Sequence, residues 1–438
     1  MAVNQAELSR ENLIFTGSER EEKQFQRERA EKMSRVVKYA AKNSPFYRRK
    51  LTEAGIDPAG IKTFEDLQSL PFTTKEELRL AYPLQAQAAP DDEVVRVHSS
   101  SGTTGKPVII PYTQYDVDTW AEMMARCLKM TGVNRLDRVQ VTPGYGLWTA
   151  GIGFQAGVER LGAMTIPTGP GNTEKQLEMM SDLGTTVLIG TSSYGLLLAE
   201  ECSKRGVLDR IRLRIGIFGS ERWGERMRAR IEEIFAIDTF DIYGLTEIYG
   251  PGIAIDCPYH HGLHYWDDHL FFEVIDPVTG KVVPDGVQGE LVVTTLTKQG
   301  MPLLRYRTRD LTRIITEPCP CGSPYPQIDR IFARTDDMIK IHGVNIYPGQ
   351  LEHVLQITSG LSSEYEITIT RKEGRDSLII KVESTEGPEV WEHLGTSLAR
   401  NIKTKIGISA QCIVTEIGAL RRSEKKTKRV YDLRKSEL

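Results

Sequence analysis

Val139-Gln-Val-Thr142, Ala163-Met-Thr-Ile166, Thr186-Val-Leu-Ile189 and Ile215-Gly-Ile-Phe218 punctuate residues 120–244, and their alternation with helical stretches decides the fold. Each run is short and rich in β-forming residues. The stretches between them, such as 173–183 and 222–235, carry the pattern of helices. Strands separated by helices of that length predict an α/β fold, with a parallel, doubly wound sheet and helices on both faces.

Working outward, residues 19–43 are charged, with Phe25, Met33, Val36, Val37 and Ala40 at helical spacing. That pattern predicts a surface helix with one buried stripe, stopped by Pro45. After Tyr249 the helical patterning disappears. Phe271-Phe-Glu-Val-Ile-Asp-Pro-Val-Thr-Gly-Lys-Val-Val283 reads as strand, turn and strand; Gly289-Glu-Leu-Val-Val-Thr-Thr-Leu296 and residues 304–315 add further strands of a β subdomain. Beyond Asp336 the pattern changes again. Strands at 366–371, 377–383 and 411–417 and a helix near 389–406 predict a small α+β lid. The expected domains are therefore 1–335 and 336–438. The tail, 421–438, holds eight basic and three acidic residues and by itself reads as a solvated, helix-like end.

Composition narrows the class. The 438 residues include 56 basic and 59 acidic side chains, a net charge of -3, which offers no global field for nucleic acid. No run reaches the ~18 apolar residues of a membrane span, and the N-terminus lacks the order of a secretory signal. Six cysteines are too few for a disulfide scaffold. These features predict a soluble, cytoplasmic protein without a nucleic-acid or membrane partner.

The most informative stretch is His98-Ser-Ser-Ser-Gly-Thr-Thr-Gly-Lys-Pro107. Small hydroxyl residues and two glycines let the backbone approach an anion, while N–H groups, hydroxyls and Lys106 supply donors. Phosphate is the natural guest. It is not a Walker A loop, because Ser100 and Pro107 stand where that loop needs Gly and Ser or Thr. Gly219-Ser-Glu221 follows a buried-looking strand, on the side where parallel sheets bind ligands. Tyr145 and Trp148 sit in the glycine-rich turn Pro143-Gly-Tyr-Gly-Leu-Trp-Thr-Ala-Gly151, where rings form either a flat slot for an aryl acid or ordinary core. Cys257, His264, Cys319 and Cys321 could complete a tetrahedral zinc site, or be unrelated thiols; His260 and His261 lie in a less regular turn. Cys127, Cys202 and Cys412 fall within helix or strand patterns.

Several of these blocks, in this order, resemble the adenylate-forming, acyl-CoA synthetase superfamily. Ser99, Ser100, Ser101, Gly102, Thr103, Thr104, Gly105 and Lys106 are similar to its phosphate loop. Asp241-Ile242-Tyr243-Gly244-Leu-Thr246-Glu247 resembles its adenine- and magnesium-binding motif, Tyr306-Arg-Thr-Arg-Asp310 its ribose-binding motif, and Arg334-Thr-Asp336 the hinge. Asn43-Ser-Pro-Phe-Tyr-Arg-Arg-Lys50, Tyr145-Gly-Leu-Trp-Thr-Ala-Gly151, Thr294-Thr-Leu-Thr-Lys298 and Gly343-Val-Asn-Ile-Tyr-Pro348 extend the resemblance, over nearly the whole chain, to the phenylacetate–CoA ligase family.

The resemblance implies ATP-dependent activation of a carboxylic acid as acyl-adenylate and transfer to coenzyme A, releasing pyrophosphate and AMP. It implies Mg²⁺ beside Glu247, ribose hydroxyls on Asp310, adenine stacked on Tyr243 beside the Gly219-Ser220-Glu221 turn, Arg334 as a further nucleotide-binding residue, and Asp336 as pivot. Relatives carrying a similar Cys…Gly-Leu-His…Cys-x-Cys set turn the cysteine cluster into an expected structural Zn²⁺ site. Thr191-Ser-Ser-Tyr194 and Gly169-Pro-Gly171 are expected walls of the acid pocket. In the tail, matching Arg429-Val430 and Asp432 to the family's last motif makes Lys426 the lysine that enters the site. Arg421 and Lys425 replace the family's Pro and Gly, so Lys425 and Lys428 stay open as alternatives. A carrier-protein thiol or another cofactor, as in coenzyme F390 synthetase-like relatives, is an alternative acceptor. A catalytically silent scaffold is disfavoured by the intact Lys106, Glu247 and Asp310. Whether the chain forms a homodimer is left open.

Overall fold

The computed structural model describes residues 19–100, 106–337, 339–341, 344–372, 375–422 and 428–434. The chain packs as two compact units. The first comprises Met1–Gly169, Thr185–Ile189 and Phe240–Arg330; the second comprises Pro170–Gly184, Gly190–Thr239 and Ile331–Leu438.

In the first unit, helix Glu19–Asn43 buries Met33, Val36, Val37 and Ala40. That spacing is what a 3.6-residue turn places on one face. Pro45 does more than stop this helix. It opens a second one, Pro45–Glu53, at a position where a missing N–H is harmless, capped by the Ser44 side chain. Strand Arg138–Val141 pairs in parallel with both Met164–Ile166 and Val187–Thr191. Helices Gln114–Met130 and Ala150–Leu161 flank it in sequence. They pack closely because Gly153 and Gly157 lack side chains; a Cβ at either would lie 2.1 Å from Trp120 or Met124.

Farther along, pairing becomes antiparallel. Gly250–Asp256 lies between Asp238–Leu245 and Leu263–Tyr265, and Gln327–Ile328 and Ile314–Ile315 follow. In another antiparallel sheet, Leu270–Ile275 pairs with Gly289–Thr295, which pairs with Tyr306–Thr312. Among the described residues no helix intervenes between Tyr249 and Pro348, as the patterning implies. The expected strand at 281–283 is a correction: only a single bridge forms, Ile275 to Val282. The Asp276 carboxylate accepts the amides of Val278 and Thr279, and Pro284, which has no N–H, follows closely.

The second unit holds helices Thr173–Asp182, Ser192–Arg205 and Glu225–Phe235 with strand Ile215–Gly219. Its C-terminal part is α+β. The strand order is Gln411–Glu416, Arg375–Ser384, Leu361–Lys372, Val430–Asp432, with the central pair antiparallel and both outer pairs parallel. Helices Pro348–Ile357 and Trp391–Ile406 contribute Leu351, Val354, Leu398 and Ile402 to a core with Ile367, Ile369, Ile380 and Val382. The described part of the tail departs from the solvated helix-like reading. Residues 430–432 form a strand, and Arg429 donates to Glu364 at 2.9 Å. Backbone pairing to residues 367–369 gives this end a partner that a charge count cannot foresee.

Arginines explain why 331–438 gathers with 190–239 in one unit. The Arg226 guanidinium donates to the carbonyls of Gln356, Thr358 and Leu361 at 2.6, 2.8 and 2.5 Å. Arg422 reaches Glu200 at 3.3 Å and clasps Glu383 through two bonds of 2.9 and 2.8 Å. Glu383 is wholly buried, so removing its cation leaves an uncompensated charge. Arg422→Met is expected to cost about 3–5 kcal/mol. The exposed Arg313–Asp329 pair at 2.8 Å is the control, and Arg313→Met should cost under about 1 kcal/mol. Urea unfolding of both variants measures the difference; equal shifts would show that burial of Glu383 is not what makes Arg422 matter.

Candidate active site and metal centre

The expected phosphate loop leaves the strand Val94–Ser99 and returns through Ile109–Thr113, an antiparallel pair. Ser100 closes its neck: the Ser100 amide donates to the Val108 carbonyl, and the Val108 amide donates to Ser100 Oγ, both at 3.0 Å. This neck is the structural part of the motif. Ser101, Gly102, Thr103, Thr104 and Gly105 lie outside the described residues. Lys106 is exposed, its Nζ 5.0 Å from the centre of the Tyr82 ring.

Ser99 connects this loop to the aromatic turn, its amide donating to the Leu147 carbonyl at 2.9 Å. The same carbonyl lies 3.2 Å from His98 Nδ1. His98 is buried against the edges of Tyr112 and Trp120, and burial pushes its imidazole down to about 4, so it is neutral at pH 7. Tyr145 is half-buried, its ring lying where a Cβ on Gly151 would fall, and burial pushes its phenol up to about 12. Its hydroxyl has no hydrogen-bond partner among the described residues. Trp148, by contrast, is 57 % exposed. Tyr145 and Trp148 thus share a turn but not an environment.

Glu247 follows strand Asp238–Leu245 and is 2 % exposed. Its carboxylate pairs with Lys75 at 2.8 Å. Thr246 Oγ1 lies 3.4 Å from Thr149 Oγ1. Within the same motif Ile242 is buried and Asp241 half-buried; Gly244 is obligatory, since a Cβ would sit 2.0 Å from the Gly250 carbonyl oxygen. Tyr243 donates its hydroxyl to Asp310 Oδ2 at 2.6 Å, so the residues expected at adenine and ribose meet directly. A buried carboxylate is a hard oxygen donor of the kind Mg²⁺ prefers, and Glu247 fits that ion.

In the second unit, Gly219-Ser220-Glu221 forms a tight turn with Ser220 at φ 69°. Glu221 Oε1 accepts from Ser192 Oγ at 3.1 Å and from the Ser193 amide at 2.6 Å, which fixes the start of helix Ser192–Arg205. Thr191 caps that helix and Ser192, Ser193 and Tyr194 are buried in its first turn. Arg334 forms a bidentate pair with Asp336 at 2.9 and 3.0 Å. Lys426 and Lys425 lie outside the described residues; Lys428 packs 4.9 Å from the Tyr431 ring centre.

Cys257, His264, Cys319 and Cys321 converge, all four donor atoms lying within 4.8 Å of one another. Cys257 Sγ is 3.5 Å from Cys319 Sγ, and Cys321 Sγ is 3.3 Å from His264 Nε2. The sulfur separation is far beyond a disulfide bond. It is close to the roughly 3.7 Å edge of a tetrahedron built with ~2.3 Å zinc–sulfur bonds. His264 Nδ1 faces the Tyr325 carbonyl at 2.8 Å, which leaves Nε2 to act as ligand. His260 instead pairs with Asp256 at 2.6 Å. The donor set fits zinc.

Lys75 and Lys298 carry no role in the sequence reading. The Thr74–Glu77 capping box marks Lys75 only as the first residue of a helix. Lys298 was visible only as the end of Thr294-Thr-Leu-Thr-Lys298. Neither motif says what its lysine faces.

Two families match the chain: AMP-binding enzyme over residues 4–297 and AMP-binding enzyme C-terminal domain over residues 343–434. Phenylacetate-coenzyme A ligase of Pseudomonas putida is 43% identical over 414 residues, covering 92% of this chain and 93% of the relative. The ligase of the same name from Thermus thermophilus is 42% identical, covering 92% and 96%. Among solved structures, 2-hydroxyisobutyryl-CoA ligase in the postadenylation state, bound to R3-HIB-AMP, has a TM-score of 0.85 at 29% identity, covering 93% of this chain and 89% of that one. The same ligase with 2-HIB-AMP and CoA in the thioesterification state scores 0.69, covering 93% and 89%. With both AMP-binding families matched and phenylacetate-coenzyme A ligases more than 40% identical along almost the full chain, this protein belongs to the phenylacetate–CoA ligase family of AMP-forming acid–CoA ligases.

Proposed function

We propose that this ligase activates an aryl or arylalkanoic acid of the phenylacetate type and transfers it to coenzyme A in the cytoplasm. The observation that carries the aryl reading is the Ser99–Leu147 hydrogen bond of 2.9 Å. It holds the Tyr145–Trp148 turn against the first residue of the phosphate-loop motif, so a flat acid against these rings would lie beside the phosphate under attack. The Tyr145 hydroxyl, without a hydrogen-bond partner among the described residues, offers a donor on the same turn.

A carboxylate is a poor electrophile, and adenylation supplies a leaving group. The acid's oxygen attacks the α-phosphorus of ATP, pyrophosphate departs, and a mixed anhydride remains; the CoA thiolate then attacks the acyl carbon and AMP departs. The first step needs charge neutralisation and alignment more than proton transfer. Glu247 would hold Mg²⁺, which supplies positive charge at the phosphates when bound. Lys106 and Lys426 add positive charge from the chain itself, Asp310 holds the ribose hydroxyls and Tyr243 the adenine. Gly219, Ser220 and Glu221 flank the base. Cys257, His264, Cys319 and Cys321 would saturate a structural Zn²⁺, leaving no open position for chemistry.

Residues 336–438 act as a lid that serves the two half-reactions in turn, pivoting at Asp336. Support comes from the fall in similarity, 0.85 to 0.69, between two states of one neighbouring ligase. Pivots of this kind are short segments that absorb backbone change.

Three outcomes follow. In CoA-thioester assays phenylacetate and benzoate should outperform hexanoate by about 10-fold or more, the worth of one to two misfitted methylenes; faster turnover of the aliphatic acid would refute the aryl slot, and omission of CoA should stop the reaction at the adenylate. Metal analysis should find about one zinc per chain, and Cys319→Ser should lower both zinc content and melting temperature; metal-free protein after metal-sufficient, reducing purification would end the zinc reading. Lys426→Ala should lose adenylation by about 10²–10³-fold yet convert a supplied aryl-adenylate. Asp336→Pro should do the reverse, because proline fixes φ at the pivot. Equal losses in both half-reactions for each variant would sink the alternating lid.

A further inference from the structure

We infer that Lys298 is a positioning residue that locks the Glu247 turn to the strand leaving the phosphate loop, and thereby sets how tightly the site holds a divalent cation with its nucleotide. The inference rests on the reading of Glu247 as the magnesium-binding carboxylate.

Lys298 is 1 % exposed, an unusual place for a long cationic side chain. Its Nζ donates to the carbonyl of Ile248, the residue directly after Glu247. Two rings enclose the same nitrogen, with the centre of Tyr112 at 4.1 Å and that of Tyr249 at 4.5 Å, both within cation–π range. Tyr112 lies on strand Ile109–Thr113, and its hydroxyl donates to the Tyr249 carbonyl at 3.0 Å. One ammonium therefore touches both the exit of the phosphate loop and the turn that carries Glu247.

The backbone beyond Lys298 is held just as firmly. Asp116, wholly buried, accepts the amides of Gln299 and Gly300, each at 2.7 Å, as well as that of Thr113 at 3.1 Å. Gly300 allows this approach, because a Cβ there would stand 2.3 Å from the Pro111 carbonyl oxygen. So the carboxylate that caps helix Gln114–Met130 also pins the base of Lys298 against strand Ile109–Thr113.

Core packing alone does not account for a lysine here. Methionine would fill the same volume without the cost of burying an amine, and burial pushes this one down to about 7 against the opposing pull of Asp116 and Glu247. The hydrogen bond to Ile248 needs only an N–H, which the amine offers in either protonation state. Mg²⁺ demands near-ideal octahedral geometry, so a carboxylate free to swing by a fraction of an ångström binds it poorly. Groups that orient metal ligands typically contribute 10–100-fold in affinity.

The test is Lys298→Met with Mn²⁺ as spectroscopic probe. Electron paramagnetic resonance gives the affinity for Mn²⁺ in the presence of a non-hydrolysable ATP analogue, in wild type and variant. The expected result is a loss of about 10–100-fold in Mn²⁺ affinity. Thioester formation from a supplied aryl-adenylate, which needs no metal, should be unchanged. Unchanged Mn²⁺ affinity beside a lowered melting temperature would overturn the inference and leave Lys298 a packing residue. Equal losses in metal binding and in the adenylate-to-thioester step would do the same. Should Lys298→Met fail to fold, Tyr112→Phe removes the bond to the Tyr249 carbonyl and carries the test: weakened Mn²⁺ binding supports the lock, unchanged binding refutes it. Wild type that binds no Mn²⁺–nucleotide removes the magnesium reading and the inference together, whereas tight binding by both proteins removes the inference alone.

Discussion

Keeping the Glu247 carboxylate out of water is the constraint on which much of the first unit depends. A charge taken from water needs cations and hydrogen bonds close by, or it neutralises itself. Here Lys75 meets it from the more open side, while Lys298 anchors the next residue from beneath. Lys298 in turn requires two tyrosine rings and a carbonyl, and its backbone requires Asp116. Asp116 is the third residue of a helix whose first turn it caps. A single buried acid thus draws together a helix start, the strand Ile109–Thr113 and the turn between two antiparallel strands. Preorganised charge of this kind is what phosphoryl-transfer chemistry draws on, because dipoles fixed beforehand need not reorganise as charge develops.

The second unit applies the same rule to a different end. Glu383 is buried on the central C-terminal strand, and Arg422 answers it while also reaching Glu200. Among the described residues Arg226 meets no carboxylate; its fork takes three backbone carbonyls near the end of helix Pro348–Ile357, where free acceptors and partial negative charge collect. These contacts are polar and directional. They hold by geometry rather than by buried apolar area, and polar interfaces of that sort are the ones domains can leave and re-form.

The cysteine–histidine cluster is built on yet another principle. Cys257 directly follows one antiparallel strand, His264 lies on its partner, and Cys319 and Cys321 come from a loop that no sheet holds. Four converging soft donors could tie that loop to the sheet. The Tyr325 carbonyl sets the imidazole so that the correct nitrogen faces inward. The site is a clamp in form, remote in kind from the oxygen donors and amides around Glu247.

Much of this was legible in the residues alone. Short β-rich runs between helical stretches named the α/β class, because side-chain periodicity is imposed by backbone geometry and is local. The phosphate-loop motif, Glu247, Tyr243 and Asp310 stood out as candidates because short motifs that resemble a family's are read from residues that stand next to one another in the chain. The cysteine set was legible by donor type, although its convergence needed the fold. Other features were beyond reach. Lys75 and Lys298 matter through what lies opposite them, 172 and 51 positions away from Glu247 in the chain. The tail looked like a solvated helix because its charges are conspicuous, whereas its strand is made by hydrogen bonds to residues 367–369. That Trp148 stands more than half exposed could not be foretold either, since neighbouring glycines say nothing about what covers a ring. Local order determined which chemistry the chain can carry; long-range packing decided which charges face each other, because a buried charge finds its partner in space and not in sequence.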